Sequence, residues 1–444
     1  MNIVVLIVIF LLMFFLRSSF LVPFTNPGFS PTVAVGFILI FAFLIGKKIS
    51  RLKLPQITGF ILAGVFCGPY VMKFLSSEDV SSLQLLDGLA LSLIALTAGG
   101  EMRLAQLKRD SRAISSILLF QTVFIIAGFV VFGFLSRPIF PFFSERTLAQ
   151  GFALSLLLGT LATATSPSTT IAVITESNAK GKYTDLILST AVVKDFLVIC
   201  LFAFTLSAAR AMTLPGQAFD ALFLVGILKE VGVSVLLGAG IGGGIILYLK
   251  FIKRETAIFI LGIAFFTYQI SHSLGYHPLL ICLVAGFLVE NFSSRGDSLI
   301  QAIEKVSVPI YVVFFAISGA SLDLDALGRS WVLALIFVVL RAALKFSGTY
   351  LGARLANEEK GVQKQSWKGF ISQAGVALGM AVIIEETFPE WGGEFKALIL
   401  AFIAINQIIG PVLLQRLLVK VNEAGKKVIG VGDRGQGSTL DILS

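Results

Sequence analysis

Histidine and cysteine are scarce in this chain, with two and three residues among 444. Cys67, Cys200 and Cys282 sit in separate apolar runs without metal-ligand spacing, and His272 and His277 flank one short loop. Neither set supplies the clustered thiolates or imidazoles that a zinc site or a disulfide framework needs. Charge is also sparse: Asp, Glu, Lys and Arg make up 14% of the residues, against 56% apolar. A water-soluble fold has no place to hide apolar residues spread so evenly, so the composition predicts a polytopic membrane protein. The net charge of +9 is dispersed over short loops, which argues against a nucleic-acid partner. No nucleophile–base pair or phosphate loop appears, so neither an enzyme nor a cofactor is expected. There is no long polar block, and no attached soluble domain is expected.

What fills the chain is a series of hydrophobic runs. About fourteen are long enough to read as membrane helices: residues 2–22, 32–49, 56–74, 84–105, 112–135, 148–177, 184–209, 218–250, 255–272, 277–293, 299–322, 328–355, 366–386 and 394–418. The first lacks a cationic start and a small-residue cleavage site, so it is read as a helix and not as a signal peptide. Basic residues cluster after every second run: Lys47, Lys48 and Arg51; Arg103, Lys108 and Arg109; Lys180 and Lys182; Lys250, Lys253 and Arg254; Arg354, Lys360 and Lys364. The intervening loops hold mostly single ones, such as Arg137, Arg210 and Arg329. This asymmetry places even-numbered helix ends and both termini in the cytoplasm; Arg17 runs against it. Helices 2–7 then begin outside and helices 9–14 inside, as two six-helix units of opposite orientation with helix 8 as connector. The tail after about Val419 is charged and Gly-rich and reads as disordered.

Both units carry an interruption in the fifth helix. In the first it is Thr163 to Thr170, where Pro167 removes a backbone donor and hydroxyl side chains can satisfy the freed groups. In the second it is Ser372, Gln373 and Gly375, a polar, small-residue gap. Interrupted helices at matching positions of two halves point to a midplane binding site. A proline kink and a packing seam are the plainer alternative.

The remaining signal is charge inside the bilayer. Lys194 and Asp195 stand side by side in the apolar run from Leu186 to Phe204. A charge at that depth costs at least about 2.5–3.5 kcal/mol. Arg341 and Lys345, four residues apart on helix 12, share a face and need anionic or dipolar company. Asp195 is the deepest carboxylate; Glu101 and Glu385 lie nearer helix ends, and Glu101 is a candidate for a cytoplasmic funnel.

Several segments together resemble the cation/proton antiporter superfamily, in its monovalent cation:proton antiporter-2 branch. They are Leu54 to Pro69, Ala164 to Ser166, Ala191 to Asp195, Phe314 to Leu322, Lys345 with Gly352 to Leu355, and Ser372 to Gly375, within a match that runs from about Thr32 to Leu418. The resemblance implies crossed broken helices, a core domain moving against a dimerisation domain, and a homodimer. On that reading residues 1–31 are an extra helix and loop. Residues 84–209 and 299–418 form the core, 32–74 and 218–293 the dimerisation helices, and 419–444 a cytoplasmic tail. Asp195 matches the ion-binding aspartate and Lys345 the core lysine. Lys194 departs from the pattern: relatives carry Asp, Asn or Gln there, and where it is Asp it pairs with the core lysine.

That departure matters energetically. A Lys-Asp-Lys site carries a net charge of +1, and adding a monovalent cation about 4 Å from an uncompensated positive group costs around 4 kcal/mol at an effective dielectric near 20. Three readings avoid this cost: Lys194 points away from the cavity, Lys194 is neutral, or the transported species is not a simple alkali cation. The expectation is therefore an exchanger of Na+ or K+ for protons in the inner (plasma) membrane. Asp195 would hold either species, with Thr165, Ser166, Ser372 and Gln373 around it. Lys345 and Arg341 would supply core charge, Pro167 and Gly375 the helix breaks, and Lys194 would be a candidate second proton carrier. Two alternatives stay open: a non-transporting sensor or assembly subunit, marked by Lys194 locked to Asp195 in a sealed core, and an anion or organic-solute transporter.

Overall fold

The computed structural model describes residues 29–52, 54–213, 221–252, 254–274, 276, 278–322, 324–373 and 376–425. The predicted helix over 2–22, Gly375, His277 and the tail beyond 425 lie outside these residues. Within them the chain is helical. The principal helices are α1 (Phe29–Ser50), α2 (Gln56–Cys67), α3 (Gln84–Glu101), α4 (Leu104–Ser136), α5 (Leu148–Thr163), α6 (Pro167–Glu176) and α7 (Lys182–Thr213). After α8 (Ala221–Phe251) come α9 (Thr256–Leu274), α10 (Pro278–Phe292), α11 (Gly296–Ala320), α12 (Leu324–Leu355), α13 (Val376–Thr387) and α14 (Gly392–Lys420). A short α-helix over Lys360–Gln365 and a 3-10 helix over Ser366–Phe370 precede α13. Every run predicted from residue 32 onward is a helix or a pair of half-helices. Within the run over 218–250, the described part, from Ala221, is one continuous helix.

Both predicted interruptions are breaks. The first helix stops at Thr163, leaves Ala164 to Ser166 extended, and restarts at Pro167. Proline suits that first helical position because its missing donor has no intrahelical partner there, and Ser166 caps the new helix by accepting from the Thr169 amide at 3.2 Å. The second leaves helical geometry after Phe370 and resumes at Val376. The two breaks touch: the Ser166 amide donates to the Ser372 carbonyl at 2.9 Å. The entering half-helix α5 starts on a capping box, with Gln150 N to Thr147 Oγ1 at 3.2 Å and Thr147 N to Gln150 Oε1 at 3.1 Å.

The packing carries the signature of the inverted repeat. The second helix of one unit packs on the third of the other, twice over: α2 on α11 and α3 on α10. At each crossing a glycine meets backbone. A Cβ on Gly64 would strike the Ala316 carbonyl and one on Gly319 the Ile61 carbonyl; Gly99 and Gly286 stand likewise against Leu283 and Leu96. Without a hydrophobic driving force between helices in lipid, such close approach is what holds them. The fourth helices, α4 and α12, pack directly on each other.

These contacts divide the helices into two groups. One holds α4 to α7 with α12 to α14; the other holds α1 to α3 with α9 to α11, while α8 lies mainly along α10. By sequence, residues 84–105 and 299–322 count with the core; in the contacts α3 and α11 pack chiefly on α10 and α2. Their glycine faces tie α3 and α11 to α10 and α2. Just after α14, Glu423 is buried, and its carboxylate accepts from the amides of Tyr183 (2.9 Å) and Thr184 (2.8 Å) and from Thr184 Oγ1 (2.8 Å), closing the start of α7.

Candidate functional site

A cavity of about 550 Å³ lies between the two groups of helices. Its walls are α3 and α10 on one side and α6, α7 and the first break on the other. Asp195 is the one ionisable side chain lining it among the described residues; Ser166, Pro167 and Ser168 line it at the break. The carboxylate is half-buried and, among the described residues, has no hydrogen bond or ion pair. The rest of the lining is apolar and includes Ala95, Ala98, Val192, Leu283 and Phe287. Glu101 ends α3 one residue before Met102, which lines the cavity; Glu101 itself does not.

Lys194 lies on the opposite side of α7. Neighbours on a helix are about 100° apart, which carries its amine away from the cavity and into the protein. There it is fully buried, donates to Gln121 Oε1 on α4, and sits 4.8 Å from the centre of the Phe370 ring. Gln121 Nε2 in turn donates to Thr349 Oγ1 at 2.5 Å, and Thr349 Oγ1 to the Lys345 carbonyl at 2.6 Å. Lys194 and Asp195 are therefore not locked together.

Arg341 and Lys345 find dipolar company at the breaks. Arg341 donates from Nε to the Ala162 carbonyl (2.7 Å), from one terminal nitrogen to Ala164 (2.6 Å), and from the other to Ile371 (2.7 Å) and Asn406 Oδ1 (3.1 Å). Lys345 Nζ donates to the Ala164 carbonyl (3.1 Å), to Thr165 Oγ1 (2.9 Å) and to the Phe370 carbonyl. The carbonyl end of a helix carries partial negative charge, so two buried cations cap the ends of the two interrupted helices. The planar fork of Arg341 reaches both strands of the crossing at once. Lys345 is not paired with Asp195.

The predicted site residues thus separate. Ser166 and Asp195 meet at the cavity. Thr165 points to Lys345, Ser372 and Gln373 lie at the crossing outside the cavity lining, and Gln373 Nε2 donates to the Leu161 carbonyl at 2.8 Å. Gln121, Thr349 and Asn406 were not singled out from sequence. Their signal was available: each is a lone polar side chain, or one of a pair, in an apolar span, where such groups rarely stand without partners.

Comparison with known proteins agrees with this geometry. Residues 36–420 match the family model described as sodium/hydrogen exchanger, transmembrane. The chain belongs to the sodium/hydrogen exchanger family. It is 21% identical to a probable Na(+)/H(+) antiporter of Methanocaldococcus jannaschii, over 88% of this chain and 97% of that one. It is 24% identical to the Na(+)/H(+)-K(+) antiporter GerN of Bacillus cereus, over 85% and 94%. Among solved structures, the sodium proton antiporter MjNhaP1 of M. jannaschii superposes with a TM-score of 0.62 at 17% identity, covering 88% of this chain and 98% of that one.

Proposed function

We propose that this protein is a secondary transporter that exchanges a monovalent cation for protons, with Asp195 as the shared binding group. The observation that carries the reading is the Asp195 carboxylate, unpaired among the described residues and lining a cavity between two separately packed groups of helices. Sodium and potassium are the first candidates, since relatives are described as Na(+)/H(+) and Na(+)/H(+)-K(+) antiporters. A proton and a cation would compete for the carboxylate, and movement of α4–α7 and α12–α14 against α1–α3 and α9–α11 would expose it to alternate sides. The capped half-helix ends would move as one unit, because Arg341 and Lys345 bind them together. The second group would carry the contacts of a homodimer. The basic loops favour the inner (plasma) membrane with both termini cytoplasmic.

Lys194 is assigned a supporting role. Its amine faces Gln121, so it does not compete with the cation for Asp195 by contact. The sensor alternative loses its expected mark, because that reading requires Lys194 and Asp195 to neutralise each other. The test is exchange in everted vesicles followed by a pH-reporting dye: Asp195→Asn abolishes the cation-induced response, and a retained response overturns the assignment.

A further inference from the structure

We infer that the Asp195 cavity takes weakly hydrated organic monocations of the alkylammonium class, with the charge at Asp195 and the alkyl groups against α3 and α10. This rests on the exchange reading above and widens its substrate class.

The oxygen supply is the first argument. A hard cation prefers several oxygen ligands around it. Besides Asp195, the cavity offers side-chain oxygens from Ser166 and Ser168, which hydrogen-bond each other at 3.0 Å. Ser166 Oγ is further committed to Thr169. Of the oxygens at the breaks, the carbonyls of Ala162, Ala164, Phe370 and Ile371 and the Thr165 hydroxyl accept from Arg341 or Lys345; Ser372 Oγ and Gln373 Oε1 have no partner among the described residues but lie outside the cavity lining. An alkali ion at Asp195 must keep much of its hydration shell in a space with apolar walls.

The walls are the second argument. Leu91, Ala95 and Ala98 of α3 and Leu283 and Phe287 of α10 face the carboxylate's side of the cavity, and about 550 Å³ is far more room than a bare ion fills. An alkylammonium ion spreads its charge, gives up little hydration on entry, and gains from apolar burial in proportion to the area covered. Phe287 is the aromatic ring of the lining, and ring faces attract ammonium groups. One carboxylate in a pocket of this size and character matches one positive charge surrounded by hydrocarbon.

The full-length protein, purified and in proteoliposomes, provides the test. Tetramethylammonium, tetraethylammonium and sodium chlorides are compared by calorimetric titration and by dye-reported proton release. Tetraethylammonium is expected to bind about tenfold more tightly than sodium, more tightly than tetramethylammonium, and to lose that binding in Asp195→Asn. If sodium drives an Asp195-dependent response and tetraethylammonium neither binds nor drives one, the inference is overturned while the exchange reading stands. If tetraethylammonium binds equally to Asp195→Asn, it is adsorbing to apolar surface and the inference is overturned. An absence of any Asp195-dependent response to every cation removes the exchange reading and the inference with it.

Discussion

Lys194 and Asp195 are adjacent in the chain and serve different compartments of the protein: the carboxylate faces the cavity, the amine is sealed against Gln121 and Phe370. A single helical step separates them, and that step keeps a positive charge from neutralising the binding group. The remaining effect of Lys194 on a bound cation is through space. For a separation on the order of 10 Å and an effective dielectric near 20, a unit charge contributes about 1.7 kcal/mol. Lys194→Gln should therefore lower the half-saturating cation concentration by up to about twentyfold with maximal rate retained, measured by dye-reported exchange. An unchanged value would mean that the amine carries no charge where it sits.

Gln121 is the acceptor for that amine. Gln121→Leu leaves a buried donor without its partner, which costs about 1–3 kcal/mol or more for a charged group. The expected result is a fall in the melting temperature of the purified protein. Combining it with Lys194→Met should recover most of the loss, since both ends of the bond are then apolar. A double variant as unstable as Gln121→Leu alone would show that the glutamine acts independently of the lysine.

Arg341 holds four acceptors from three segments. Arg341→Leu should greatly reduce the yield of monodisperse protein, and Arg341→Lys should restore little, because one ammonium with three donors cannot serve the four acceptors that the guanidinium fork holds. Full yield from the lysine variant would assign the position a need for charge alone.

The glycine crossings give a stability prediction. Gly286→Leu places a side chain against the Leu96 carbonyl, and α3 and α10 must separate. Overpacking of this kind costs about 1–3 kcal/mol or more. Gly151→Ala, where nothing stands within 4 Å, should be silent. Thermal unfolding in detergent compares them, and equal melting temperatures would contradict the close approach.

Glu423 closes the start of α7 with three accepted hydrogen bonds. Glu423→Ala should destabilise the protein by about 2 kcal/mol, within the range for losing bonds to a charged group, read as earlier proteolysis of the segment around residue 180. Unchanged proteolysis would make the contact dispensable.

Much of this was legible in the amino-acid order. Runs of apolar residues can satisfy their backbone in a bilayer only as helices, so thirteen of the predicted spans followed from composition and length alone. Pro167 with its flanking hydroxyls marked one break, and Ser372 and Gln373 marked the other. Asp195 stood out because a deep carboxylate is costly. Composition gave no sign that Glu423, at the start of the charged tail, meets α7, because that contact is made across the fold.

What the sequence determined by itself was the membrane class, the helix inventory and the identity of the unusual charges, since each is a property of a segment and its solvent. The tertiary structure decided which charges meet. Arg341 and Lys345 could have paired with Asp195 and instead cap carbonyls; Lys194 could have faced the cavity and instead faces Gln121. Those outcomes depend on the rotation of α7 and α12 about their axes, fixed by α4, the two breaks and the glycine crossings. A nearly all-apolar helix surface leaves that rotation unspecified until its neighbours are in place.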